Sequence, residues 1–323
     1  MRFTFLGTSA GTPTAQRNVT ALALNIGESR DWYLVDCGEG TQHRLLRSRH
    51  SSAKLKTIFI THVHGDHCYG LPGLIASANM SGRTAALTIC APDGIEQYVR
   101  ATFAHTDVHN LRFPLNFVRS DAPNFYYSDG SVEVSAVAMS HRVPCFAYHI
   151  KEIPPNHIDE VALDALGVPR GPLWHQLQQG EDIVLASGER VAASKVCRPA
   201  WPARKMIVGG DNDQPDLLSE ALQDSDLLIH EATFTEDILA KVGPQYMHST
   251  AAMVAKTAAA AALPHLILTH FSQRYRKDPS KKAKTHSVAE LFSEARELYQ
   301  GNLLLAEDLK SYQLEKDKSL SEL

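Results

Sequence analysis

The sequence predicts an α/β sandwich built on more than one sheet. Short apolar runs rich in β-branched residues alternate along the chain with helical patterns, which is typical of α/β proteins. The early strand patterns at 19–26 and 32–36 lie too close together for crossover helices and read as hairpins, so a single parallel sheet is excluded. The 323 residues, of which 44% are hydrophobic, are enough to bury a sizeable core.

Each element follows from its local pattern. Residues 1–7 read as a strand and a turn, and Thr41 is a candidate N-cap for a helix that ends at Arg49. The Ala-rich stretch at 258–262 is a good helix former and not a disordered tract. Further strands are predicted at 58–61, 87–91, 132–139, 206–210, 227–230 and 265–269, and further helices at 71–80, 94–103, 215–223, 250–262 and 286–299.

One segment, at about 152–204, interrupts this alternation. It opens with Pro154-Pro155 and contains a second stretch rich in glycine and proline at 167–173, and such residues mark turns and loops. We therefore predict one domain over 1–323 with an inserted excursion at about 152–204. The charged residues at 315–319 look like part of a polar C-terminal tail.

A cluster of imidazole and carboxylate groups follows one of the strand patterns. His62 and His64 point to the same face because strand side chains alternate, and a turn at Gly65 returns Asp66 and His67 toward them. These ligands suit a borderline metal such as zinc, not calcium or magnesium, which prefer oxygen ligands. The alternative is a histidine-rich surface loop without a metal.

Three more candidate ligands stand at the C-terminal ends of other strand patterns, where ligands converge in layered α/β folds. They are His141, Asp211 and His270. Together with the first cluster they exceed the four ligands of one tetrahedral ion, which suggests two metals.

Composition and charge exclude several classes of protein. No apolar run is long enough to span a bilayer, no signal peptide is visible, and the five cysteines are scattered, so a cytoplasmic protein with reduced thiols is expected. The net charge of −4 does not indicate a nucleic-acid binder, but basic stretches at 190–205 and 274–284 could dock a polyanion. Ordinary solvated surface charge is the alternative for both stretches.

With these motifs in place, the sequence resembles ribonuclease Z over nearly its whole length. The cluster at 62–67 alone identifies only the metallo-β-lactamase superfamily, which includes thioesterases and lactonases. Three further segments narrow the resemblance: the Pro-Thr-x-x-Arg-Asn loop at 13–18, the His-Glu-Ala-Thr segment at 230–233 and the Ser-x-Arg-Tyr segment at 272–275.

The resemblance implies a metallo-β-lactamase αββα sandwich that binds two Zn²⁺ ions per subunit, with Mn²⁺ or Co²⁺ as possible substitutes, and acts on precursor tRNA. A bridging hydroxide, oriented by Asp66, would attack the phosphorus at the 3′ side of the acceptor stem. Cleavage would leave a 3′-hydroxyl on the tRNA and a 5′-phosphate on the trailer. By the family pattern, one ion is held by His62, His64 and His141, the other by Asp66, His67 and His270, and Asp211 bridges the two.

The same resemblance suggests further site residues. His248 is the candidate acid that protonates the leaving 3′ oxygen, with Glu231 as a nearby carboxylate; the alternatives are a histidine at a helix end and a carboxylate that only satisfies backbone amides. Arg274 could clamp a phosphate or form a surface ion pair. Arg17 and Asn18 could contact the acceptor stem or form a structural turn.

The length matches the short form of the family, which implies a homodimer. The excursion at about 152–204, with Gly171 and Pro172, looks like the flexible arm that grips the tRNA in that family. The sequence departs from the family pattern at Asn212-Asp213, where relatives often have a threonine. This difference adds a negative charge beside the candidate ligand Asp211.

Two other functions stay open. One is a small-molecule hydrolase of the same fold, acting on a phosphodiester, thioester or lactone; the excursion and the basic stretches argue against it. The other is a non-catalytic RNA-binding protein on an inactive hydrolase fold, which predicts missing ligands, whereas every ligand position is filled.

Overall fold

Strands and helices alternate along the chain, as the sequence predicts. The computed structural model describes residues 1–277 and 286–323. The strands are β1 (Arg2–Gly7), β2 (Ala21–Asn25), β3 (Trp32–Val35), β4 (Leu55–Phe59), β5 (Leu87–Ala91), β6 (Leu115–Arg119), β7 (Tyr126–Ser128), β8 (Val132–Met139), β9 (Cys145–Glu152), β10 (Asn156–Ile158), β11 (Ile183–Val184), β12 (Arg190–Val191), β13 (Cys197–Pro199), β14 (Lys205–Val208), β15 (Leu227–Glu231), β16 (His265–Thr269), β17 (Tyr275–Arg276), β18 (His286–Ser287), β19 (Asn302–Leu305), β20 (Ser311–Leu314) and β21 (Leu320–Glu322).

The helices fall between these strands. They are α1 (Thr41–Leu45), α2 (Gly65–Cys68), α3 (Leu71–Met80), α4 (Ile95–His105), α5 (Glu160–Ala165), α6 (Pro172–Gln178), α7 (Ala193–Val196), α8 (Ser219–Leu222), α9 (Glu236–Val242), α10 (Ala251–Ala260) and α11 (Val288–Leu298). Short 3₁₀ turns occur at Ser52–Lys54, Pro215–Leu218 and Pro244–Tyr246. None of the helices in the described part of the chain is long and apolar enough to cross a membrane.

Two large sheets form the centre of the body. In the described residues, the first sheet has the strand order β21-β20-β1-β2-β3-β4-β5-β6 and the second sheet the order β19-β16-β15-β14-β9-β8-β7. Strands β3 to β6 are parallel neighbours, as are β14, β15, β16 and β19, whereas β1 to β3 pair antiparallel. The expectation of more than one sheet, with hairpins near the N-terminus, is therefore confirmed.

The central strands of both sheets are buried on both faces. On β3, Tyr33 and Val35 join the apolar cluster between the two sheets, while Trp32 and Leu34 pack against the helices outside the first sheet. On β15, Ile229 faces the other sheet and Leu228 faces the outer helices of the second sheet. Strands covered on both faces need apolar residues at successive positions, which explains the nearly continuous apolar runs in the sequence.

Several local expectations are wrong. Gly40, in a left-handed conformation with φ of 75°, is the N-cap of α1, so Thr41 is the first helical residue and donates its hydroxyl to the Gly38 carbonyl at 2.7 Å. Helix α1 ends at Leu45, before the expected Arg49. The C-terminal residues are not a free polar tail, because β21 pairs with β20 and β20 pairs with β1.

Residues 152–203 form a separate compact unit, and 1–151 together with 204–323 form the other. The smaller unit has two short β ladders, β10 with β13 and β11 with β12. It also has its own apolar cluster, which includes Leu163, Leu177 and Val191. Its flexibility and its role as a tRNA-gripping arm stay predictions.

Candidate metal centre

The candidate ligands all follow the C-terminal ends of strands in the body. The cluster at 62–67 lies after β4, where α2 starts at Gly65 and carries Asp66 and His67 in its single turn. His141 follows β8, Asp211 follows β14 and His270 directly follows β16. Parallel strands end at the same edge of a sheet, so these side chains can converge.

The structure brings every predicted ligand into this convergence. Within the described residues, three sets of potential ligand atoms lie within 4.8 Å of one another. The sets are His62, His64, His141 and Asp211; Asp66, His67 and His270; and Asp211, His248 and His270. Shared members join the sets into one cluster, which is compatible with a divalent metal centre.

The first set has the spacing of a tetrahedral site. His64 Nδ1 lies 3.1 Å from His62 Nε2 and 3.2 Å from His141 Nε2. Ligands about 2.0–2.1 Å from one zinc ion stand roughly 3.3 Å apart in a tetrahedron, so these nitrogens fit such an ion. Asp211 Oδ2 completes the set at 3.6 Å from His62 Nε2 and 3.7 Å from His141 Nε2.

The second set shows the same spacing. His67 Nε2 and His270 Nε2 are 3.3 Å apart, and Asp66 Oδ2 is 3.4 Å and 3.3 Å from these two atoms. Asp211 Oδ1 lies 3.3 Å from each of the same nitrogens. The two carboxylate oxygens of Asp211 therefore face different sets, which is the arrangement that a bridging ligand requires.

The hydrogen bonding of Asp211 also fits a cation. Its Oδ1 atom is buried and has no hydrogen-bond partner among the described residues. A buried carboxylate oxygen without a donor is costly, and a bound metal ion would remove that cost.

Hydrogen bonds outside the cluster fix the orientation of four imidazoles. His67 Nδ1 bonds Asp36 Oδ2 at 2.7 Å, and His141 Nδ1 bonds the Met247 carbonyl at 3.0 Å. Threonine hydroxyls perform the same task for the other two, since Thr61 Oγ1 lies 3.0 Å from His62 Nδ1 and Thr233 Oγ1 lies 3.0 Å from His270 Nδ1. Each ring thus presents Nε2 to the cluster.

The two threonines determine the direction of these bonds. Thr61 donates its hydroxyl proton to Asp36, and Thr233 donates to Glu231 Oε2 at 2.7 Å. Each hydroxyl oxygen is therefore left to accept from an imidazole N–H. The Nε2 atoms of His62 and His270 consequently keep a lone pair, which is the form that binds a metal.

The pKa values of the imidazoles follow their surroundings. Burial lowers the pKa of His62, His64 and His141, so these rings are neutral and able to bind a cation. His67 differs, because neighbouring carboxylates, led by Asp66, outweigh its burial and raise its pKa. Binding of a cation at His67 must therefore displace a proton.

Asp36 is a site residue that the sequence reasoning missed. It adopts a left-handed conformation with φ of 61° at the end of β3, and its carboxylate accepts from the Thr61 backbone amide at 2.8 Å as well as from His67. The signal that could reveal it is an acidic residue directly after a buried strand, in the segment Asp36-Cys37-Gly38. The sequence alone indicates no role for this carboxylate, because its partner His67 is distant along the chain.

His248 and Glu231 form a pair beside the cluster. His248 Nδ1 lies 3.0 Å from Glu231 Oε1, and the same oxygen accepts from the Ser249 amide at 2.9 Å. Glu231 Oε2 accepts from the Thr233 amide at 2.9 Å, so the carboxylate both satisfies backbone amides and contacts His248. Burial alone would lower the pKa of His248, but Glu231 and Asp211 outweigh it and raise this pKa to about 9.

The three residues of the body that are predicted to contact RNA differ in their exposure to solvent. Arg17 is 9% exposed and donates its guanidinium to the carbonyls of Ser272 and Tyr275, which favours the structural alternative for this residue. Asn18 donates from Nδ2 to the Glu39 carbonyl at 3.0 Å. Arg274 is exposed and reaches Ser272 Oγ at 3.2 Å, and no ion pair to Arg274 occurs within residues 1–277 and 286–323.

Two further expectations concern other parts of the chain. Gly171, with φ of 135°, precedes Pro172 at the start of α6 in the smaller unit. The basic stretch expected at 274–284 lies outside the described residues from 278 onward.

Asn212 connects the loops that carry the ligands. Its Nδ2 is 3.2 Å from His230 Nε2, and its Oδ1 accepts from the Ser140 amide at 3.2 Å and from the Gln214 amide at 3.1 Å. Asp213 belongs to none of the three ligand sets found in the described residues. The extra charge beside Asp211 therefore adds no ligand.

Comparisons with known proteins agree with this site. A family model described as anti-Pycsar protein Apyc1 matches residues 1–106, which include the cluster at 62–67. Ribonuclease Z of Marinobacter nauticus is 49% identical over 321 residues, covering 99% of this chain and 98% of the relative. The chain belongs to the ribonuclease Z family.

Solved structures support the ribonuclease Z assignment and the fold. The short form of human tRNase Z has a TM-score of 0.65 and 25% identity, with 97% of this chain and 99% of that one covered. The metallo-β-lactamase fold protein YhfI from Bacillus subtilis has a TM-score of 0.64 at 18% identity, covering 96% and 98%. The predicted metallo-β-lactamase fold is thus confirmed.

Proposed function

We propose that this member of the ribonuclease Z family is a divalent-metal-dependent endoribonuclease that cleaves precursor tRNA at the 3′ side of the acceptor stem. The observation that carries the proposal is the joined ligand cluster with the His248–Glu231 pair at its edge. The cluster suits hydrolysis of a phosphodiester, because such a bond needs a nucleophilic water, stabilisation of charge on the phosphoryl oxygens and a proton for the leaving oxygen.

We assign two Zn²⁺ ions to each subunit, with Mn²⁺ or Co²⁺ as possible substitutes. His62, His64 and His141 would hold one ion and Asp66, His67 and His270 the other, with Asp211 shared between them. When bound, the ions supply an activated water and neutralise charge on the phosphoryl group. The zinc assignment rests on the mixture of nitrogen and oxygen ligands and on their tetrahedral spacing.

The remaining steps belong to the chain itself. Asp66 Oδ2 accepts the Gly11 amide at 2.7 Å, so this carboxylate is held in place to orient the attacking water. His248 is fixed through Nδ1 by Glu231 and keeps its other nitrogen for proton transfer. Protonation of the 3′ oxygen would leave a 3′-hydroxyl on the tRNA and a 5′-phosphate on the trailer.

Recognition of the tRNA body is assigned to residues 152–203. This unit contains the exposed side chains of Lys195 and Arg198, whereas Arg190 pairs with Asp182 at 2.8 Å. Gly171 and Pro172, at the start of α6, belong to the same proposed surface. The exposed guanidinium of Arg274 is proposed to bind a phosphate. The resemblance to the short form supports a homodimer, which sedimentation of the purified protein would measure.

The proposed function is tested with precursor tRNAs that carry a 3′ trailer, with and without an encoded CCA, under defined zinc, manganese or cobalt. A single cut that leaves a 3′-hydroxyl and a 5′-phosphate is expected, and mature tRNA serves as the uncut control. Hydrolysis of a thioester or a small phosphodiester without any cleavage of precursor tRNA would reject the proposal and favour a small-molecule hydrolase.

A further inference from the structure

Tyr69 is an exposed aromatic residue at the edge of the candidate metal centre. It directly follows α2, the helix that carries Asp66 and His67, and it is 61% exposed. Cys68, directly before it, and Leu71, two residues after it, are 2% and 0% exposed, so the chain turns this one large ring outward between buried side chains. Tyr69 has no role in the proposed hydrolysis of the phosphodiester.

The position of the ring is defined by two contacts. A Cβ atom on Gly65 would lie 2.1 Å from Tyr69 Cε2, so the absence of a side chain at Gly65 allows the ring to rest on the ligand loop. The Tyr98 ring has its centroid 6.0 Å away at an interplanar angle of 44°, and the Tyr98 hydroxyl donates to the Tyr69 carbonyl at 3.4 Å. Tyr69 is therefore supported on the protein side while most of its surface meets solvent.

The contact with Gly65 places the Tyr69 ring beside the candidate metal centre. Gly65 stands between the candidate ligands His64 and Asp66, so Tyr69 borders the place where the scissile phosphate would bind. A base attached to a nucleotide next to that phosphate would come within reach of the ring. Aromatic side chains bind unpaired bases by stacking, which tolerates any base sequence.

We propose that Tyr69 stacks against the base of the first trailer nucleotide, immediately 3′ of the scissile phosphate. The proposal rests on the proposed function, since it requires an RNA substrate. The trailer side is favoured because its nucleotides are single-stranded, whereas the nucleotide on the tRNA side continues the acceptor stem and stacks on it. Tyr69 would thus position the trailer strand while the body of the tRNA is bound elsewhere.

The test compares two precursor tRNAs that differ only at the first trailer nucleotide, one with a base and one abasic. The proteins are the unaltered chain, Tyr69→Ala, Tyr69→Phe and the control Tyr126→Ala. Tyr126 is 60% exposed and lies on β7, an edge strand of the second sheet, so it matches Tyr69 in exposure and residue type. Metal content and sedimentation are measured for each protein, and kcat/KM for each protein and substrate.

Tyr69→Ala should lower kcat/KM on the normal precursor by about tenfold, with unchanged metal content, whereas Tyr69→Phe and Tyr126→Ala should stay near the unaltered value. On the abasic precursor, the unaltered protein should slow to the rate of Tyr69→Ala, because both lack the same stacked pair. Equal loss from Tyr69→Ala on both precursors would overturn the stacking.

Two other results would also overturn the inference. If Tyr69→Ala changes the oligomeric state, the ring is a contact between subunits and not a base platform. If the unaltered protein cleaves the normal precursor and Tyr69→Ala cleaves it equally well, the inference fails while the proposed function stands. Failure of the unaltered protein to cleave any precursor would reject the proposed function itself.

Discussion

Glu231 shows how a single buried carboxylate can serve two purposes. It accepts backbone amides from Asn212, Thr233 and Ser249, which ties three loops together, and it also contacts His248. The two interpretations of Glu231 offered by the sequence are therefore compatible with each other. Since the amides hold the carboxylate rigidly, His248 has a fixed partner at the edge of the ligand cluster.

Replacement of His248 by alanine should slow precursor tRNA cleavage by about 10²–10⁴-fold, the usual contribution of general acid catalysis. Metal content and tRNA affinity should change little, because Nδ1 of His248, its atom nearest Asp211 at 3.8 Å, is already engaged by Glu231. Single-turnover rates and elemental analysis of the purified variant measure both effects. Loss of a metal ion from the variant would instead make His248 a ligand.

The dependence of cleavage on pH should reflect the same histidine. The pKa of His248 is raised to about 9, so its acid form is present below that pH and is lost as the pH rises through it. A cation bound by Asp211 offsets part of that carboxylate's contribution, which moves the alkaline limb of the rate below pH 9. The single-turnover rate against pH should therefore fall on the alkaline side, and His248→Ala should lack this limb.

The sequence predicts a site residue well when its side-chain type alone indicates its role, and poorly when the role depends on its surroundings in the fold. The ligands could be found because imidazole and carboxylate groups at strand ends have few other uses. Asp36, Thr61 and Thr233 could not, because their role depends on hydrogen bonds formed only in the folded chain. The choice between a substrate contact and a structural turn for Arg17 could not be made from a short loop motif, because the burial of this side chain, which is 9% exposed, depends on the whole fold.

At the scale of elements, several strands with a strong apolar pattern are predicted from the sequence, whereas β9, β19 and the polar edge strands are missed. Strands β8 and β16 have the expected bounds, as do β5 and helix α3. Edge strands such as β6 and β21 carry polar residues because one side meets solvent, so their sequences resemble loops. Only the partner strand reveals them as strands.

Removal of residues 315–323 tests the hairpin at the edge of the first sheet. The truncation removes β21, its pairing with β20, and the 2.8 Å bond between the Lys318 carbonyl and His265. We expect a loss of roughly 1–3 kcal/mol in the free energy of unfolding, because several hydrogen bonds are lost. Urea unfolding measures it.

The control for this truncation is Lys318→Ala, which removes only the ion pair with Asp226 at 2.8 Å. Lys318 is partly exposed, and the buried Asp226 keeps its hydrogen bond from the Lys205 amide, so the control should lose at most about 1 kcal/mol and unfold nearly as the unaltered chain does. Metal content should be the same in all three proteins. Equal stability of the truncated and unaltered chains would mean that the hairpin contributes nothing to the sheet.

Deletion of residues 155–200 tests the proposed arm. The smaller unit holds its own apolar cluster, so we expect the body and its metal content to survive when a short flexible linker closes the gap. Precursor tRNA should bind much more weakly, while a small phosphodiester should still be hydrolysed, since every candidate ligand lies outside the deletion. Equal affinity and equal salt dependence of the two proteins would place recognition on the body.

A matched pair of variants in the full-length chain sharpens this test. Lys195→Gln combined with Arg198→Gln should reduce the slope of log affinity against log salt by roughly 0.7–0.9 for each lost phosphate contact. Arg190→Gln is the control, because Arg190 is engaged by Asp182 and is expected to contribute less.

At the scale of the whole molecule, metal binding should govern stability as well as activity. Under zinc-replete conditions we expect two ions per chain, and His64→Ala should reduce the number toward one, because His64 belongs to only one ligand set. Chelation should lower the melting temperature, since an ion that binds only the folded state at 100 times its Kd adds about 2.7 kcal/mol. Elemental analysis and thermal unfolding measure both, and a count that never exceeds one would contradict the two-metal assignment.

The origin of the ligands has a mechanical consequence. The cluster at 62–67 follows the first sheet, whereas His141, Asp211 and His270 follow strands of the second. A bound cation would therefore add a cross-link between two layers that apolar packing and a few hydrogen bonds, such as that from the Tyr148 hydroxyl to the Ile60 carbonyl at 2.7 Å, otherwise join. It would also close chain loops as long as the one from His67 to His270. The cysteines of the described chain are all free, so the metal centre would supply the kind of restraint that disulfides give to secreted proteins. In a cell that lacks metal, the two layers of the protein would then separate more readily, and proteases would cleave its interior sooner.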